Sequence, residues 1–163
     1  MTDTKTQAAK ADITDLCKKR KILFVCMGNT CRSPMAEAYL NAKADEHNMD
    51  IEAQSAGLAA IAGDEISYFA KEALRNKGIG EKYYINHRAR PVSKYLIEQS
   101  DVILCLDKSY MMPLLSAFPE FSSKIESFSE SVGDPFGADL AVYEETLEKI
   151  AENIDLRFMT GSA

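Results

Sequence analysis

The chain contains no tryptophan and only two histidines and four cysteines among 163 residues, and each scarcity closes off a class of function. His47 and His87 are too few and too scattered to build a zinc site. Cys17, Cys26, Cys31 and Cys105 show neither the dense spacing of a disulfide framework nor a paired metal pattern. The expectation is therefore a protein with no metal and no other cofactor, working in a reducing, cytoplasmic compartment. No apolar run approaches the roughly 20 residues of a membrane span. The N-terminus is polar and lacks the apolar centre of a signal peptide. Lysine and arginine number 19 against 25 aspartates and glutamates, a net charge of −6, which argues against nucleic acid or an anionic membrane as partner. Phosphate binding is not excluded by that balance, because the local field of one loop decides it.

What is present suits one globular domain. The length is enough to bury a core without disulfide staples. Residues 1–20 are polar with no sustained apolar face and read as a flexible leader, with Cys17 as an exposed thiol; the domain is expected over 21–163. From there strands and helices alternate. Strands are expected over 21–26, 51–56, 102–106 and 124–128. Helices are expected from Pro34 to about Asn48, over 67–77, 93–99 and 108–117, and from Asp139 onward. In the last helix Leu140, Tyr143, Leu147, Ile150, Ile154 and Phe158 keep helical spacing. Alternation of this kind predicts an α/β fold, a three-layer sandwich in which helices cover both faces of a central parallel sheet of about four strands. Ligands of such sheets bind outside the carboxyl ends of the strands.

Cys26-Met27-Gly28-Asn29-Thr30-Cys31-Arg32-Ser33 occupies that place, between the apolar run Ile22 to Val25 and the helix opened by Pro34. Free N–H groups and the dipole at a helix N-terminus favour an anion. Gly28 and Asn29 allow a loop to curl so that more N–H groups converge. Positive surroundings favour the thiolate, the nucleophilic form of Cys26. Arg32 adds a planar fork for two phosphate oxygens, and Ser33 a hydroxyl able to donate to the sulfur. Gly133-Asp134-Pro135 forms a turn-rich segment able to fold over such a site, with Asp134 as a proton donor. His47, on a polar helix end, reads as surface, and Cys105 as strand core.

These residues carry a resemblance. The stretch from Val25 to Glu37 is similar to the signature of the low-molecular-weight protein tyrosine phosphatases. Ser55-Ala56-Gly57, His87-Arg88-Ala89-Arg90 and Asp134-Pro135-Phe136-Gly137 follow in the family's order. The resemblance implies a protein phosphatase acting on a phosphorylated protein substrate through a cysteinyl-phosphate intermediate. Cys26 is then the nucleophile, Arg32 the phosphoryl clamp, Asp134 the general acid, and Met27 to Ser33 the phosphate cradle. It also implies that Ser55 and His87 brace Asn29 in a left-handed conformation, and that Cys26 and Cys31 form a reversible disulfide under oxidation.

Substrate choice turns on Thr30 and Phe136. Most tyrosine-specific members carry a branched apolar residue where Thr30 stands, whereas a threonine resembles the bacterial protein-arginine phosphatases. A hydroxyl suits a guanidinium that an aliphatic group would leave unpaired. Residues 58–66 contain no aromatic side chain, and Phe136 is followed by Gly137 where many relatives place a second ring, so a phosphotyrosine ring loses part of its sandwich. Phosphoarginine is the favoured substrate on this reading and phosphotyrosine the alternative, with Tyr68, Tyr83 and Tyr84 the rings available to fill the wall. Three remoter alternatives fit less well. An arsenate reductase needs a further cysteine relay, a phosphocysteine carrier has no use for Arg32 or Asp134, and a non-catalytic phosphoprotein-binding module would not retain nucleophile and acid together.

Overall fold

The computed structural model describes residues 18–160; Cys17 and most of the expected leader lie outside them. Four strands form one sheet in the order β2-β1-β3-β4, all pairs parallel. They are β1 (Arg20–Cys26), β2 (Ile51–Gly57), β3 (Val102–Cys105) and β4 (Ile125–Ser127). The helices are α1 (Arg32–Glu46), α2 (Tyr68–Asn76), α3 (Lys94–Gln99), α4 (Met111–Ala117) and α5 (Leu140–Ile154).

Strand β1 shows why the architecture has three layers. Ile22, Leu23, Phe24 and Val25 are all fully buried, and successive side chains point to opposite faces. Ile22, Phe24 and Cys26 join the core shared with α1, α2 and α5. Leu23 and Val25 join the second core, with Leu96 and Ile97 of α3 and Leu114 of α4. Each such side chain contributes on the order of 2 kcal/mol by leaving water, and a strand apolar on both faces finds that only between two helical layers.

Helix boundaries differ from the sequence expectation in instructive ways. Helix α1 starts at Arg32, two residues before Pro34, because proline needs no N–H partner in a first turn and need not be the first residue. It ends at Glu46, and Asn48 takes a left-handed φ of 51° while the Met49 N–H returns to the Ala44 carbonyl at 2.8 Å, a C-terminal closure asparagine tolerates. The expected helix over 108–117 is divided into a 3-10 turn, Lys108–Tyr110, and α4. Asp107 causes the division: its Oδ1 accepts from both the N–H and the hydroxyl of Ser109. These bonds, the hydroxyl's first, hold the Asp107 carboxyl below its usual range. Asp139 caps α5 by accepting from the Val142 N–H at 3.2 Å. Cys105 is fully buried in β3, and burial pushes its thiol up to about 12. His47 is exposed. Among the described residues, no helix is long and apolar enough to cross a membrane.

Candidate active site

Strand β1, central in the sheet, ends at Cys26, and α1 begins at Arg32, so the five residues between must turn from a strand axis into a helix axis. Gly57, paired with Cys26 at the end of β2, makes room for that turn. A Cβ at Gly57 would lie 2.5 Å from the Met27 carbonyl oxygen and 3.0 Å from the Asn29 nitrogen. Both are backbone atoms and cannot step aside. Gly57→Ala is accordingly expected to cost about 1–3 kcal/mol, read as a lowered urea midpoint; a midpoint equal to wild type would contradict the close approach.

The loop is held open by one buried amide. Asn29 is fully buried and left-handed, with φ 57°, a conformation a non-glycine residue holds only when its surroundings impose it. Its Oδ1 accepts from the Arg90 backbone N–H at 3.0 Å, which fixes which end of the amide is oxygen. The Nδ2 group donates to Ser33 Oγ and to Ser55 Oγ, each at 2.9 Å. His87 Nε2 donates to the Asn29 carbonyl at 2.7 Å, since a carbonyl can only accept. Ser55 in turn donates to Glu37 Oε2 at 2.9 Å, and the Arg90 side chain donates to the Ser55 carbonyl at 3.1 Å.

This network leaves one further hydrogen available. Ser33 Oγ already accepts from Asn29, so its own hydrogen is free for Cys26 Sγ, 2.8 Å away. A donated hydrogen bond stabilises a sulfur anion more than a thiol, whose sulfur is a weak acceptor. Among the described residues, none of the backbone N–H groups of residues 27–33 donates to a protein acceptor, so these donors remain for an oxyanion at the helix N-terminus.

Arg32 is 3% exposed, and protein acceptors hold both ends of its fork. Its Nη1 donates to the Val132 carbonyl at 2.9 Å, its Nη2 donates to Tyr110 Oη at 2.6 Å, and Nη2 lies 3.6 Å from Asp134 Oδ2. Asp134 is half exposed and caps its own turn, accepting from the Phe136 N–H at 3.1 Å. Residues 26–32, Asp134 and Phe136 enclose a cavity of about 180 Å³. A larger hollow of about 380 Å³, lined by the bracing residues Glu37, Ser55, His87 and Arg90, includes neither Cys26 nor Arg32 in its wall. Cys26, Arg32 and Asp134 meet only in the smaller of these two.

The structure thus brings Cys26, Met27, Gly28, Asn29, Thr30, Cys31, Arg32, Asp134 and Phe136 around one space, with Ser33, Ser55 and His87 behind it. Tyr83 and Tyr84 do not reach it. Tyr83 donates to Asp45 at 2.6 Å, Tyr84 is buried, and both line the bracing hollow. Tyr68 is exposed and packs edge-on against Phe69. Cys26 and Cys31 are both free thiols. Cys31 Sγ sits 3.3 Å from Tyr143 Oη and 3.4 Å from Ser67 Oγ, and burial, then the bond to Cys31, pushes the Tyr143 phenol up to about 12.

Four contributors had no role in the sequence reading: Glu37, Arg90, Tyr110 and Val132. Glu37 was accessible in principle, being four residues after Ser33 on one helix face. Val132 acts through its carbonyl and Arg90 braces Asn29 through its backbone N–H, atoms that carry no residue-type signal, although the Arg90 side chain also holds the Ser55 carbonyl.

Known proteins resemble this chain in sequence and in fold. The profile of the family described as low molecular weight phosphotyrosine protein phosphatase matches residues 21–158. A protein-arginine-phosphatase of Bacillus subtilis is 33% identical over 138 residues, spanning 80% of this chain and 89% of that protein. The protein-arginine-phosphatase of Geobacillus stearothermophilus is 34% identical over 142 residues, 83% of this chain and 91% of that protein. Among solved structures, a low molecular weight protein tyrosine phosphatase from T. tengcongensis superposes with a TM-score of 0.82 at 36% identity, covering 86% of this chain and 99% of that one.

Proposed function

The chain belongs to the low molecular weight phosphotyrosine protein phosphatase family, and from that premise we propose that it hydrolyses phosphoarginine side chains of proteins through a cysteinyl-phosphate at Cys26. The phosphoryl group enters the cavity with its oxygens on the loop N–H groups and Arg32. The Cys26 thiolate attacks phosphorus and forms the S–P bond as the P–N bond breaks. Asp134 gives its proton to the departing guanidine nitrogen. Water then attacks the phosphocysteine, Asp134 takes the proton back, and the S–P bond breaks to return the thiolate, helped by the Ser33 hydrogen bond. Asn29, held by Ser55 and His87, keeps the N–H groups aimed inward throughout.

One observation carries the substrate assignment: Thr30 lines the same cavity as Cys26 and Arg32. Its hydroxyl gives a guanidinium a polar neighbour, where an aliphatic side chain would desolvate it without a partner. The likeness to two protein-arginine-phosphatases supports the same reading. Phosphotyrosine is the second reading. It is favoured by Phe136, which is 79% exposed beside the cavity, and by the comparable likeness to a tyrosine phosphatase.

Turnover of phosphoarginine and phosphotyrosine by wild type and Thr30→Ile, measured side by side, tests the assignment. The expected result is a wild-type preference for phosphoarginine that Thr30→Ile reverses, a swing of at least about tenfold for one buried polar mismatch. Preference for phosphotyrosine in the wild type would return the chain to the second reading.

A further inference from the structure

We propose that Tyr110 is a positioning residue for Arg32, fixing the guanidinium in the attitude that binds the phosphoryl group; this rests on the phosphate-binding role given to Arg32 above. A guanidinium has five N–H donors. Two are committed: one on Nη1 to the Val132 carbonyl at 2.9 Å and one on Nη2 to Tyr110 Oη at 2.6 Å. Anchors on both Nη atoms set the plane of the group and leave Nε–H and one hydrogen on each Nη for a ligand. The guanidinium carbon also lies 5.3 Å from the centroid of the Tyr110 ring, within cation–π range.

The two anchors come from different parts of the chain. Val132 belongs to the segment between β4 and α5, and its N–H is pinned to the Leu106 carbonyl at 2.9 Å. Tyr110 closes the 3-10 turn after β3 and caps α4. It packs against both cores, and the Asp107–Ser109 bonds lock the turn that presents it.

Such an anchor has work to do because Arg32 has a rival partner. Asp134 Oδ2 is 3.6 Å from the same Nη2 that Tyr110 holds, and Asp134 is half exposed on a loop, whereas Arg32 is buried. Without the Tyr110 oxygen, Nη2 has no acceptor to set against the pull of the carboxylate, and only the Val132 bond on Nη1 and the ring face remain. Arg32 then turns toward Asp134 and away from the incoming phosphoryl group, and the acid is tied up in an ion pair. A hydrogen bond from a charged donor, at the short distance seen here, is strong enough to decide between those positions.

Tyr110→Phe removes the oxygen and keeps the ring. With p-nitrophenyl phosphate as substrate, kcat/KM is expected to fall about tenfold, the loss of one charge-assisted bond. Competitive inhibition by inorganic phosphate is expected to weaken by several-fold, with the thermal midpoint within about 2 °C of wild type. Tyr110→Gln, which restores an acceptor of shorter reach, is expected to recover part of the phosphate affinity. Wild-type kcat/KM and phosphate inhibition in Tyr110→Phe would overturn the proposal. So would a loss of activity that follows the thermal midpoint with phosphate inhibition unchanged, the signature of a purely structural residue. A wild-type protein inactive toward p-nitrophenyl phosphate would instead remove the phosphatase reading itself, so the two failures are distinguishable.

Discussion

Cys26→Ser is expected to abolish turnover, by at least about 10⁴-fold, the scale on which loss of a nucleophile acts when oxyanion donors remain. The side chain is 2% exposed and its sulfur lies 2.8 Å from the Ser33 hydroxyl, which has a hydrogen to give it. Sulfur is a far better nucleophile than an aliphatic hydroxyl, so serine in this place keeps the shape of the site and loses its attacking atom. Binding is expected to survive, because the N–H cradle and Arg32 are untouched. Inorganic phosphate should therefore still be held by the variant, measured by titration calorimetry. Turnover within tenfold of wild type would end the covalent account.

Asp134→Ala is expected to lower kcat by about 10²–10³-fold on a substrate whose leaving group needs a proton. The dependence on leaving group is the more telling part. A good leaving group such as p-nitrophenolate departs without an acid, yet hydrolysis of the phosphocysteine still needs a base to deprotonate water. On that substrate the variant should release a burst of p-nitrophenol and then stall, with phosphoenzyme accumulating. On phosphoarginine, formation and hydrolysis are both impaired and no burst is expected. Equal losses on the two substrates would show that Asp134 acts by some route other than proton transfer, for instance through its 3.6 Å contact with Arg32.

The framework was legible because its signals are local. Ile22 to Val25 declares a strand buried on both faces, and the pattern from Leu140 to Ile154 declares a helix with one apolar face. The order of strands and helices then leaves little choice but a parallel sheet. The loop was legible because several unusual residue types fall within eight positions. What lay beyond reading depends on contacts between distant segments. Nothing near Tyr110 in the sequence indicates that its hydroxyl meets Arg32, 78 positions away. Nothing in the composition of residues 128–139 indicates that the Val132 carbonyl, rather than a side chain, accepts from the same guanidinium. Tyr83 and Tyr84 show the opposite failure. As residue types they suit an aromatic wall, but the 3-10 turn Glu81–Tyr83 leaves Tyr84 in the core and Tyr83 on Asp45. The division of the helix over 108–117 follows from Asp107 accepting two bonds from Ser109, a competition that helical periodicity does not register.

The bracing of Asn29 links fold to chemistry. Its left-handed backbone is held by the Arg90 N–H, His87 and the Ser33 and Ser55 hydroxyls together. The bond that orients Ser33 toward the sulfur belongs to the same set. The left-handed backbone, the aim of the loop's donors and the placing of the Ser33 hydroxyl beside the sulfur are therefore one coupled property.

The central claim is that phosphate passes through Cys26. The direct test is acid quench of the Asp134→Ala protein during its reaction with p-nitrophenyl phosphate, followed by mapping of the phosphorylated peptide by mass spectrometry. The account requires the phosphoryl group on the peptide containing Cys26, and on its sulfur rather than on Ser33. Phosphate on another residue, or undiminished turnover with no phosphoenzyme at all, would contradict it.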